Sequence, residues 1–208
     1  TLGPASDTKL EIRKMFLAGV DIFRLNMSHG DHSAVERRHN ILRDLEKEFS
    51  RPICILADLQ GPKLRCGDFK DSKSSLEVGQ KFCFDLIERL GNEERVCLPH
   101  PKIFQSVKKG DKLLIDDGKV AMQVNKASEK KIECTVLNDG IISDKKGVNC
   151  PDSILDLAPL TEKDKQDLEF VCGLGVDWIG LSFVQRAKDI DNVKKLLKGR
   201  AGVIAKIE

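Results

Sequence analysis

Residues 21–28 read DIFRLNMS, and this stretch decides what kind of fold the chain can form. Apolar and polar residues alternate along it, which is typical of a strand whose successive side chains point to opposite faces. One face is apolar, and the other carries a cation, an amide and a hydroxyl from Arg24, Asn26 and Ser28. Two interpretations follow. Either the polar side chains converge on a binding site, or the strand belongs to an antiparallel sheet with one face in water.

The polar residue types indicate what such a site would bind. An arginine suits a phosphate, because its planar guanidinium donates two parallel hydrogen bonds to the anion. Amide and hydroxyl oxygens suit a hard cation. The stretch therefore predicts a site for a phosphorylated ligand and an ion at the end of a strand.

Outward from this stretch, strands and helices alternate in residues 1–66 and again in residues 158–208. This order is typical of parallel β-α-β units. Further apolar strands are predicted at 52–59, 177–184 and 202–208. Helices are predicted at 6–19 with Ser6 as N-cap, at 33–49 with a Ser33–Glu36 capping box, at 161–175 with Thr161 as N-cap, and at 188–199.

Residues 67–157 have a different character. Short alternating strands are separated by turns, and no helical pattern interrupts them. The Asp-Gly pairs in DDGK (116–119) and NDGI (138–141) are hairpin signals. This part is predicted to be a small β-barrel or sandwich, inserted between two β-α units and serving as a lid over the site face.

Polar residues also end two other apolar strands. In ICILADLQGPKLR, Asp58 ends the strand and a Gly-Pro turn leads to Lys63 and Arg65. In VIAKIE, Lys206 and Glu208 lie two residues apart and therefore on the same side of a strand. An acid at the carboxyl end of a parallel strand is a site candidate. The structural alternatives are a turn-forming aspartate and a simple Lys–Glu ion pair at a sheet edge.

The composition argues against several classes of protein. The chain has 208 residues, of which 40% are hydrophobic and 33% charged, and its net charge is +2. This balance predicts a globular protein of one large or two modest domains, with neither nucleic acid nor a membrane as its partner. The seven cysteines include no C-x-x-C pair, so neither a zinc site nor a disulfide framework is expected. A reducing, cytoplasmic compartment fits best.

The histidines and the first residues give weaker signals. His29 and His32 in SHGDHS, with His39 nearby, raise the question of a metal, but their spacing favours a loop and a solvated start of a helix. His100 in LPHP is predicted to lie in a plain loop. The Gly-Pro-rich TLGPAS at residues 1–6 is either a phosphate cradle or a plain loop.

Eight stretches of the sequence, taken together, resemble the pyruvate kinase family. In chain order they are TLGPAS, RLNMSHG, DLQGPKLR, IDDGKV, KKGVNCPD, LTEKDKQDL, LSFVQRAKDI and IAKIE, and they cover nearly the whole chain. The resemblance implies an α/β fold, a partial (β/α)8 TIM barrel with an inserted small β-barrel lid domain. Residues 1–66 and 158–208 would form the two parts of the barrel, the second truncated, and residues 67–157 the lid.

The resemblance also implies roles for the residues at the strand ends. Arg24 matches the arginine that binds the phosphate of phosphoenolpyruvate, and Lys206 matches the lysine beside the transferred phosphoryl group. Glu208 matches the glutamate that binds the essential divalent ion, Mg²⁺ or Mn²⁺. The implied activity is phosphoryl transfer from phosphoenolpyruvate to ADP, which gives pyruvate and ATP in glycolysis.

Two further groups of residues match ligand contacts of the family. The nucleotide contacts are matched by Asn26, Met27, Ser28, His29, Arg65 and Lys146. The monovalent-cation site is matched by Asn26, Ser28 and Asp58, and by the backbone carbonyl of Leu59.

One motif departs from the form in which many relatives need K⁺. They read DTKGPEIR where this chain reads DLQGPKLR, so Leu59 and Gln60 replace threonine and lysine, and Lys63 replaces glutamate. The ammonium of Lys63 is a compact point charge, and family members with lysine here tend not to require potassium. K⁺ is therefore not expected to be required. The alternative is that Lys63 points to solvent and the site still holds K⁺.

Two rival functions stay open. A metal-dependent lyase barrel acting on pyruvate-type enolates would also use a strand-end acid and an arginine. A non-catalytic, truncated relative is the other alternative, because only four of eight barrel strands are found and the chain is interpreted as an incomplete piece that is inactive alone. The full-length protein is expected to be a cytoplasmic homotetramer that binds these small substrates and neither nucleic acid nor a membrane.

Overall fold

The computed structural model describes residues 1–28 and 31–207. Two of the predicted site residues, His29 and Glu208, lie outside this part of the chain. The helices are α1 (Lys9–Leu17), α2 (His32–Phe49), α3 (Pro101–Ser106), α4 (Glu162–Leu174) and α5 (Ala187–Leu197). The strands are β1 (Ile22–Asn26), β2 (Cys54–Asp58), β3 (Lys73–Leu76), β4 (Lys81–Asp85), β5 (Arg95–Cys97), β6 (Lys112–Ile115), β7 (Val120–Ser128), β8 (Lys131–Val136), β9 (Gly140–Ser143), β10 (Val148–Asn149), β11 (Trp178–Leu181) and β12 (Gly202–Ala205).

The chain divides into two compact units. The first unit comprises Thr1–Pro62 and Ala158–Glu208, and the second comprises Lys63–Leu157. Each unit has its own cluster of buried apolar side chains. The second unit begins at Lys63, whereas the change of pattern in the sequence suggests residue 67.

The first unit is built on a parallel sheet. Its four strands lie in the order β1-β2-β11-β12, which is also their order along the chain. The connections run through α2, through the second unit and α4, and through α5. The predicted parallel arrangement is therefore confirmed, since parallel neighbours need long crossover connections.

The register of this sheet brings polar strand ends together. Asn26 of β1 lies opposite Asp58 of β2, and Asp58 lies opposite Gly180 of β11. Phe23 and Leu25 are buried, whereas the polar residues between and after them are partly exposed. The alternation predicted for this strand is confirmed, and the alternative of an antiparallel strand is wrong.

The helices of the first unit lie where the sequence predicts them, but two of their caps differ. Thr161 caps α4, as predicted. The cap of α1 is Thr8, whose hydroxyl accepts a hydrogen bond from the N–H of Glu11. The prediction of Ser6 is wrong, because Ser6 ends a preceding 3-10 turn and its hydroxyl accepts from the N–H of Gly3.

The start of α2 also differs from the prediction. Its cap is Asp31, whose carboxylate accepts a hydrogen bond of 2.8 Å from the N–H of Ala34. The Ser33 hydroxyl donates to the same carboxylate oxygen at 2.8 Å. The predicted Ser33–Glu36 capping box is wrong, because the aspartate two residues earlier takes the capping place.

The second unit is mainly β-structure, with one helix that the sequence did not predict. A six-stranded sheet has the order β10-β6-β7-β8-β4-β5, and β3 pairs with β9 as a separate two-stranded sheet. Helix α3 begins with a proline, which suits the first turn of a helix. The prediction that no helix interrupts this part of the chain is therefore wrong.

The two Asp-Gly pairs of this unit behave differently. The DDGK turn joins β6 to β7 as a hairpin, and Asp116 and Asp117 take positive φ values of 50° and 57°. The NDGI turn does not form a hairpin, because β8 pairs with β4 and β7 whereas β9 pairs with β3. Gly140 instead permits a close approach, since a Cβ there would lie 2.6 Å from the Val120 side chain.

All seven cysteines are free thiols. Burial raises the pKa of Cys66 to about 11 and the pKa values of Cys134 and Cys150 to about 12. These thiols therefore stay protonated near neutral pH and serve as small apolar groups. Among the described residues, no helix combines the length and the apolar character that crossing a bilayer requires.

Candidate functional site

A buried carboxylate lies at the centre of the polar edge of the first unit. Asp58, the last residue of β2, is only 3% exposed. Nε of Arg24 donates to Oδ2 of Asp58 at 2.6 Å, and the same guanidinium makes a second contact to that oxygen. Nζ of Lys206 lies 3.1 Å and 3.3 Å from the two oxygens of Asp58. The buried aspartate thus orients an arginine of β1 and a lysine that directly follows β12.

The backbone around Lys206 is fixed on both sides. The sequence predicts that Lys206 lies within the last strand. In the structure β12 ends at Ala205, so Lys206 directly follows the strand. Its N–H donates to the Leu181 carbonyl at 2.9 Å, and its own carbonyl accepts from the N–H of Val184 at 3.1 Å. The side chain therefore starts from a rigid position.

Ser182 belongs to the same cluster, and it was missed in the sequence. Its hydroxyl donates to the Leu59 carbonyl at 2.8 Å and accepts from Nζ of Lys206 at 2.8 Å. Ser182 is 2% exposed and follows the last residue of β11. The sequence pattern that could have identified Ser182 is a polar residue directly after the apolar run WIGL, just as Asp58 follows the apolar run CILA.

Two glycines make room for this cluster. A Cβ at Gly180 would lie 3.0 Å from Oδ1 of Asp58. Gly61 has a φ of 69°, and a Cβ there would lie 2.8 Å from the Phe183 ring and 2.9 Å from Cβ of Ser182. Phe183 itself has a positive φ of 57°, a conformation that bulky residues rarely adopt. The chain is therefore crowded and strained beside the polar edge, as is common at functional sites.

The residues after β1 form a tight turn on the same edge. The N–H of Met27 donates to the Asp58 carbonyl at 2.9 Å. The N–H of Ser28 donates to Oδ1 of Asn26 at 3.1 Å. The segment Asn26–Ser28, where nucleotide contacts are predicted, is thus hydrogen-bonded through Met27 to Asp58 at the end of β2.

The first residues of the chain lie beside Arg24. The N–H of Leu2 donates to the Arg24 carbonyl at 3.0 Å, and Nη1 of Arg24 donates to the Thr1 hydroxyl at 2.8 Å. The side chains of Arg24 and Lys206 are 37% and 34% exposed, respectively. Their charged ends are therefore accessible to a ligand, although both are oriented by Asp58.

The charges at this edge suit an anion next to oxygen ligands for a cation. Arg24 and Lys206 carry two positive charges and share the single negative charge of Asp58. The amide oxygen of Asn26, the Asp58 carboxylate and the Leu59 carbonyl are all oxygens, the donors that hard monovalent or divalent cations prefer. The donor types therefore fit the ions that the resemblance implies.

The predicted site residues of the second unit form a cluster of their own. Arg65 pairs with Gly147 in an isolated antiparallel bridge, next to Lys146. Nζ of Lys146 lies 3.1 Å from the Asp116 carboxylate, and hydrogen bonds from Lys119 and Lys146 hold the pKa of Asp116 below its usual value. Arg65 and Lys146 are thus brought close together.

His100 has a structural role in that cluster. Its Nε2 accepts a hydrogen bond of 3.0 Å from the N–H of Arg65. Burial lowers the pKa of His100, which keeps the imidazole neutral and able to accept. His100 lies in a loop, as predicted, directly before α3, and its side chain supports the backbone of Arg65.

Lys63 lies in the second unit near the DDGK turn. Its Nζ is 3.9 Å from the Asp117 carboxylate, and its side chain is 29% exposed. A Cβ added at Gly147 would lie 2.8 Å from Cε of Lys63, so the lysine stem packs on that glycine. The side chain therefore does not extend freely into solvent.

The two described histidines of the first unit, His32 and His39, do not converge. His32 contacts Asp167 of α4, whereas His39 is buried within α2. Within residues 1–28 and 31–207, no group of three or more His, Cys, Asp or Glu side chains has a geometry that would hold a metal ion.

The fold and the site together define a class of protein. It is an α/β protein whose charged residues gather at the carboxyl ends of parallel strands, where ligands bind in open α/β sheets. The family model "Pyruvate kinase, barrel domain" matches residues 1–208. The chain belongs to the pyruvate kinase family.

Curated relatives agree with this assignment. The chain is 48% identical over 208 residues to "Pyruvate kinase" of Methylorubrum extorquens and 46% identical over 213 residues to "Pyruvate kinase" of Agrobacterium vitis. It is 36% identical over 214 residues to "Pyruvate kinase" of Geobacillus stearothermophilus. Each match covers 100% of this chain but only 44%, 43% and 36% of the respective relative. The chain therefore spans less than half the length of these relatives.

Proposed function

We propose that a protein carrying this chain transfers a phosphoryl group from phosphoenolpyruvate to ADP and so forms pyruvate and ATP. The family assignment supports this activity. The observation that carries it is the cluster in which buried Asp58 orients Arg24 and Lys206 toward one accessible edge. A metal-dependent lyase would not need the further cations Arg65 and Lys146, which are matched to nucleotide contacts.

The proposed mechanism relies on charge and position. A transferring phosphoryl group spreads negative charge over its oxygens, and little covalent chemistry is left for the protein. Arg24 would bind the phosphate of phosphoenolpyruvate, and Lys206 would lie against the group in transit. Because both cations are already oriented by Asp58, little reorganisation is required when charge develops.

Metal ions complete the proposed site. Glu208, which lies outside the described residues and follows Lys206 by two positions in the sequence, would hold Mg²⁺ or Mn²⁺. When bound, such an ion neutralises charge on the enolate oxygen and the phosphate. Asn26, Ser28, Asp58 and the Leu59 carbonyl would form the monovalent-cation site, with Lys63 supplying the charge that K⁺ supplies in many relatives.

The finer architecture is also a proposal. Four parallel strands in chain order are compatible with part of a (β/α)8 barrel. The second unit, joined to the first after Pro62 and before Ala158, would serve as a lid that excludes water from the phosphoryl group. The protein would act in the cytoplasm, as a homotetramer, on small substrates alone.

The test is ATP formation by a protein of the relatives' length that carries this chain. We expect ATP to form from phosphoenolpyruvate and ADP, and Lys206→Met to lower kcat far more than it raises KM, because the lysine acts mainly in the transition state. Lys195→Met, at an exposed lysine of α5, is the control. No ATP from the unmodified protein, or a Lys206→Met variant with kcat near normal, would contradict the proposal.

A further inference from the structure

Helix α4 reaches the turn that follows β1. Nζ of Lys163, in the first turn of the helix, donates to the carbonyl of Met27 at 2.8 Å. The same ammonium pairs with Oδ2 of Asp167, one helical turn further on. Lys163 thus connects α4 to the residue directly after the strand that carries Arg24 and Asn26.

The same aspartate also holds the start of α2. Oδ1 of Asp167 lies 2.8 Å from Nε2 of His32, the first residue of α2. The His32 ring stacks face to face on Phe170 of α4, with centroids 3.9 Å apart and planes 1° from parallel. Asp167 is only 2% exposed. Its carboxylate contacts His32 at the start of α2 directly, and it reaches Met27, directly after β1, through Lys163. Both ends of the connection between β1 and α2 are therefore linked to α4.

The contact to Met27 fixes the orientation of one peptide group. The Met27 carbonyl and the Ser28 N–H belong to the same planar unit. Lys163 binds the carbonyl end of that unit, and Oδ1 of Asn26 accepts from its N–H end at 3.1 Å. A change at Lys163 is therefore transmitted to the Asn26 side chain through a rigid group only a few ångströms long.

We propose that Lys163 and Asp167 are positioning residues for the nucleotide contacts at Asn26, Met27 and Ser28. This inference rests on the proposed phosphotransfer, since it concerns the ADP side of that reaction. Arg24 and Lys206 are both oriented by Asp58, which lies on β2. Loss of Lys163 should therefore impair the binding of ADP and leave the binding of phosphoenolpyruvate almost unchanged.

The experiment compares three variants in a protein of the relatives' length that carries this chain. Lys163→Met removes the ammonium but keeps much of the stem, and Lys163→Arg keeps a donor and the charge. The matched control is Lys165→Met, because Lys165 lies on the same helix, is exposed, and pairs with Glu162 within the first turn of that helix. KM for each substrate, kcat and the thermal midpoint are measured for all of them.

Lys163→Met is expected to raise KM for ADP about tenfold, the usual effect of losing one charge-assisted hydrogen bond. KM for phosphoenolpyruvate and kcat should change by less than about twofold, since their determinants lie at Asp58. Lys163→Arg should recover most of the lost ADP affinity, and Lys165→Met should resemble the unmodified protein. Equal increases of both KM values, or a variant that differs from the control only in its thermal midpoint, would overturn the proposal.

A second readout separates this inference from the proposed function. Hydrogen exchange of the Ser28 amide, measured on the same proteins, reports whether its peptide group is held. Exchange should accelerate in Lys163→Met but not in Lys165→Met. If the unmodified protein forms no ATP while Ser28 still responds in this way, phosphotransfer fails and the positioning contact stands. Unchanged protection of Ser28 in Lys163→Met overturns the positioning role whatever the activity.

Discussion

At the scale of single residues, Asp58 determines how the two cations of the site can act. A carboxylate that is 3% exposed must be paired, because an isolated buried charge is very costly. Arg24 and Lys206 provide that pairing from the neighbouring strand and from the residue after β12. Their stems are therefore held in place, while about a third of each side chain stays exposed. The aspartate therefore holds the two cations at the same edge of the sheet.

The charge at Lys63 leads to a prediction about potassium. Two unit charges about 4 Å apart interact by about 4 kcal/mol at an effective dielectric near 20, so replacing glutamate by lysine can substitute for a bound ion. We expect the protein of the relatives' length to be fully active in tetramethylammonium buffer without K⁺. Lys63→Glu should make activity depend on K⁺. The measurement is the rate of ATP formation with and without added K⁺.

Lys109→Glu is the matched control for this experiment, because it reverses the charge of an exposed lysine in the same unit. It should leave the response to K⁺ unchanged. Strong activation of the unmodified protein by K⁺ would show that Lys63 does not take the place of the ion.

Sequence patterns predicted the residues at strand ends but not those that reach the site from a helix. Arg24, Asp58 and Lys206 were identified because each interrupts or ends an apolar run. No sequence pattern singled out Lys163 and Asp167, since charged residues of that spacing usually form local pairs on a helix surface. The contact of Lys163 with Met27 joins two elements that lie far apart in the chain, and local sequence patterns carry no information about such contacts.

At the scale of elements, the turn after β2 is defined by Gly61. Its N–H donates to Oδ1 of buried Asp164 at 3.1 Å, which ties the turn to the first turn of α4. Its positive φ of 69° and its closeness to Phe183 and Ser182 leave no room for a side chain. Because Ser182 binds Lys206, the conformation of this turn bears directly on the site.

Gly61→Ala is therefore expected to destabilise the first unit more than an ordinary glycine substitution. An alanine at positive φ alone costs about 1 kcal/mol, and the crowding at Ser182 and Phe183 should add about 1–3 kcal/mol. Gly175→Ala is the control, because Gly175 has a φ of 79° but no atom within 4 Å of an added Cβ. Urea unfolding curves would measure the free energy of unfolding of both variants. Equal losses of stability in the two would show that small shifts of Ser182 and Phe183 relieve the crowding.

Helix α2 contains a histidine that should make stability depend on pH. His39 is 5% exposed, and its buried Nε2 has no hydrogen-bond partner among the residues that the structure describes. Burial lowers the pKa of His39 from 6.5. Below that value the unfolded chain binds a proton that the folded chain resists, so the free energy of unfolding should fall as the pH falls through and below 6.5. His39→Gln should reduce this loss.

The measurement is the urea midpoint of the unmodified protein and of His39→Gln at several pH values above and below 6.5, the usual pKa of histidine. His100 in the second unit also has a lowered pKa, so part of the dependence should persist in His39→Gln. Parallel pH profiles of the two proteins would show that the pKa of His39 is the same in the folded and unfolded states.

The positions of caps and hairpins were the least predictable parts of the elements. Both wrong caps fell within two residues of the correct ones, because several side chains near each helix start can accept the same N–H groups. The NDGI pair failed as a hairpin signal because β9 pairs with β3, a strand far earlier in the chain. Turn chemistry indicates where the chain reverses, but the partner strand is decided by long-range packing.

At the scale of the whole molecule, the chain consists of two units that are each organised around a separate core. The core of the second unit is formed by side chains from all of its larger strands and from α3. The first unit, by contrast, combines residues from both ends of the chain. Folding of the first unit must therefore close a long loop, whereas the second unit is contiguous in sequence.

The second unit should accordingly fold when it is excised as residues 63–157. It has a six-stranded sheet, an apolar core of its own and a continuous chain, which together are typical of an independent domain. We expect slow amide exchange in β7 and β8, the central strands of that sheet. Residues 1–62 are the control, because they contain only β1 and β2 of the four-stranded parallel sheet and should exchange fast.

The starting residue of the excised piece provides the sharper comparison. Leu64 and Cys66 are buried in the core of the second unit, at 6% and 2% exposure. The Leu64 carbonyl accepts from the N–H of Val148 at 2.9 Å, and the N–H of Cys66 donates to the Lys146 carbonyl at 2.9 Å. A piece that starts at residue 67 loses this strand-like segment, so its urea midpoint should be lower than that of residues 63–157. Equal midpoints would place the boundary of the domain at residue 67, and uniformly fast exchange in both pieces would show that the second unit needs the first in order to fold.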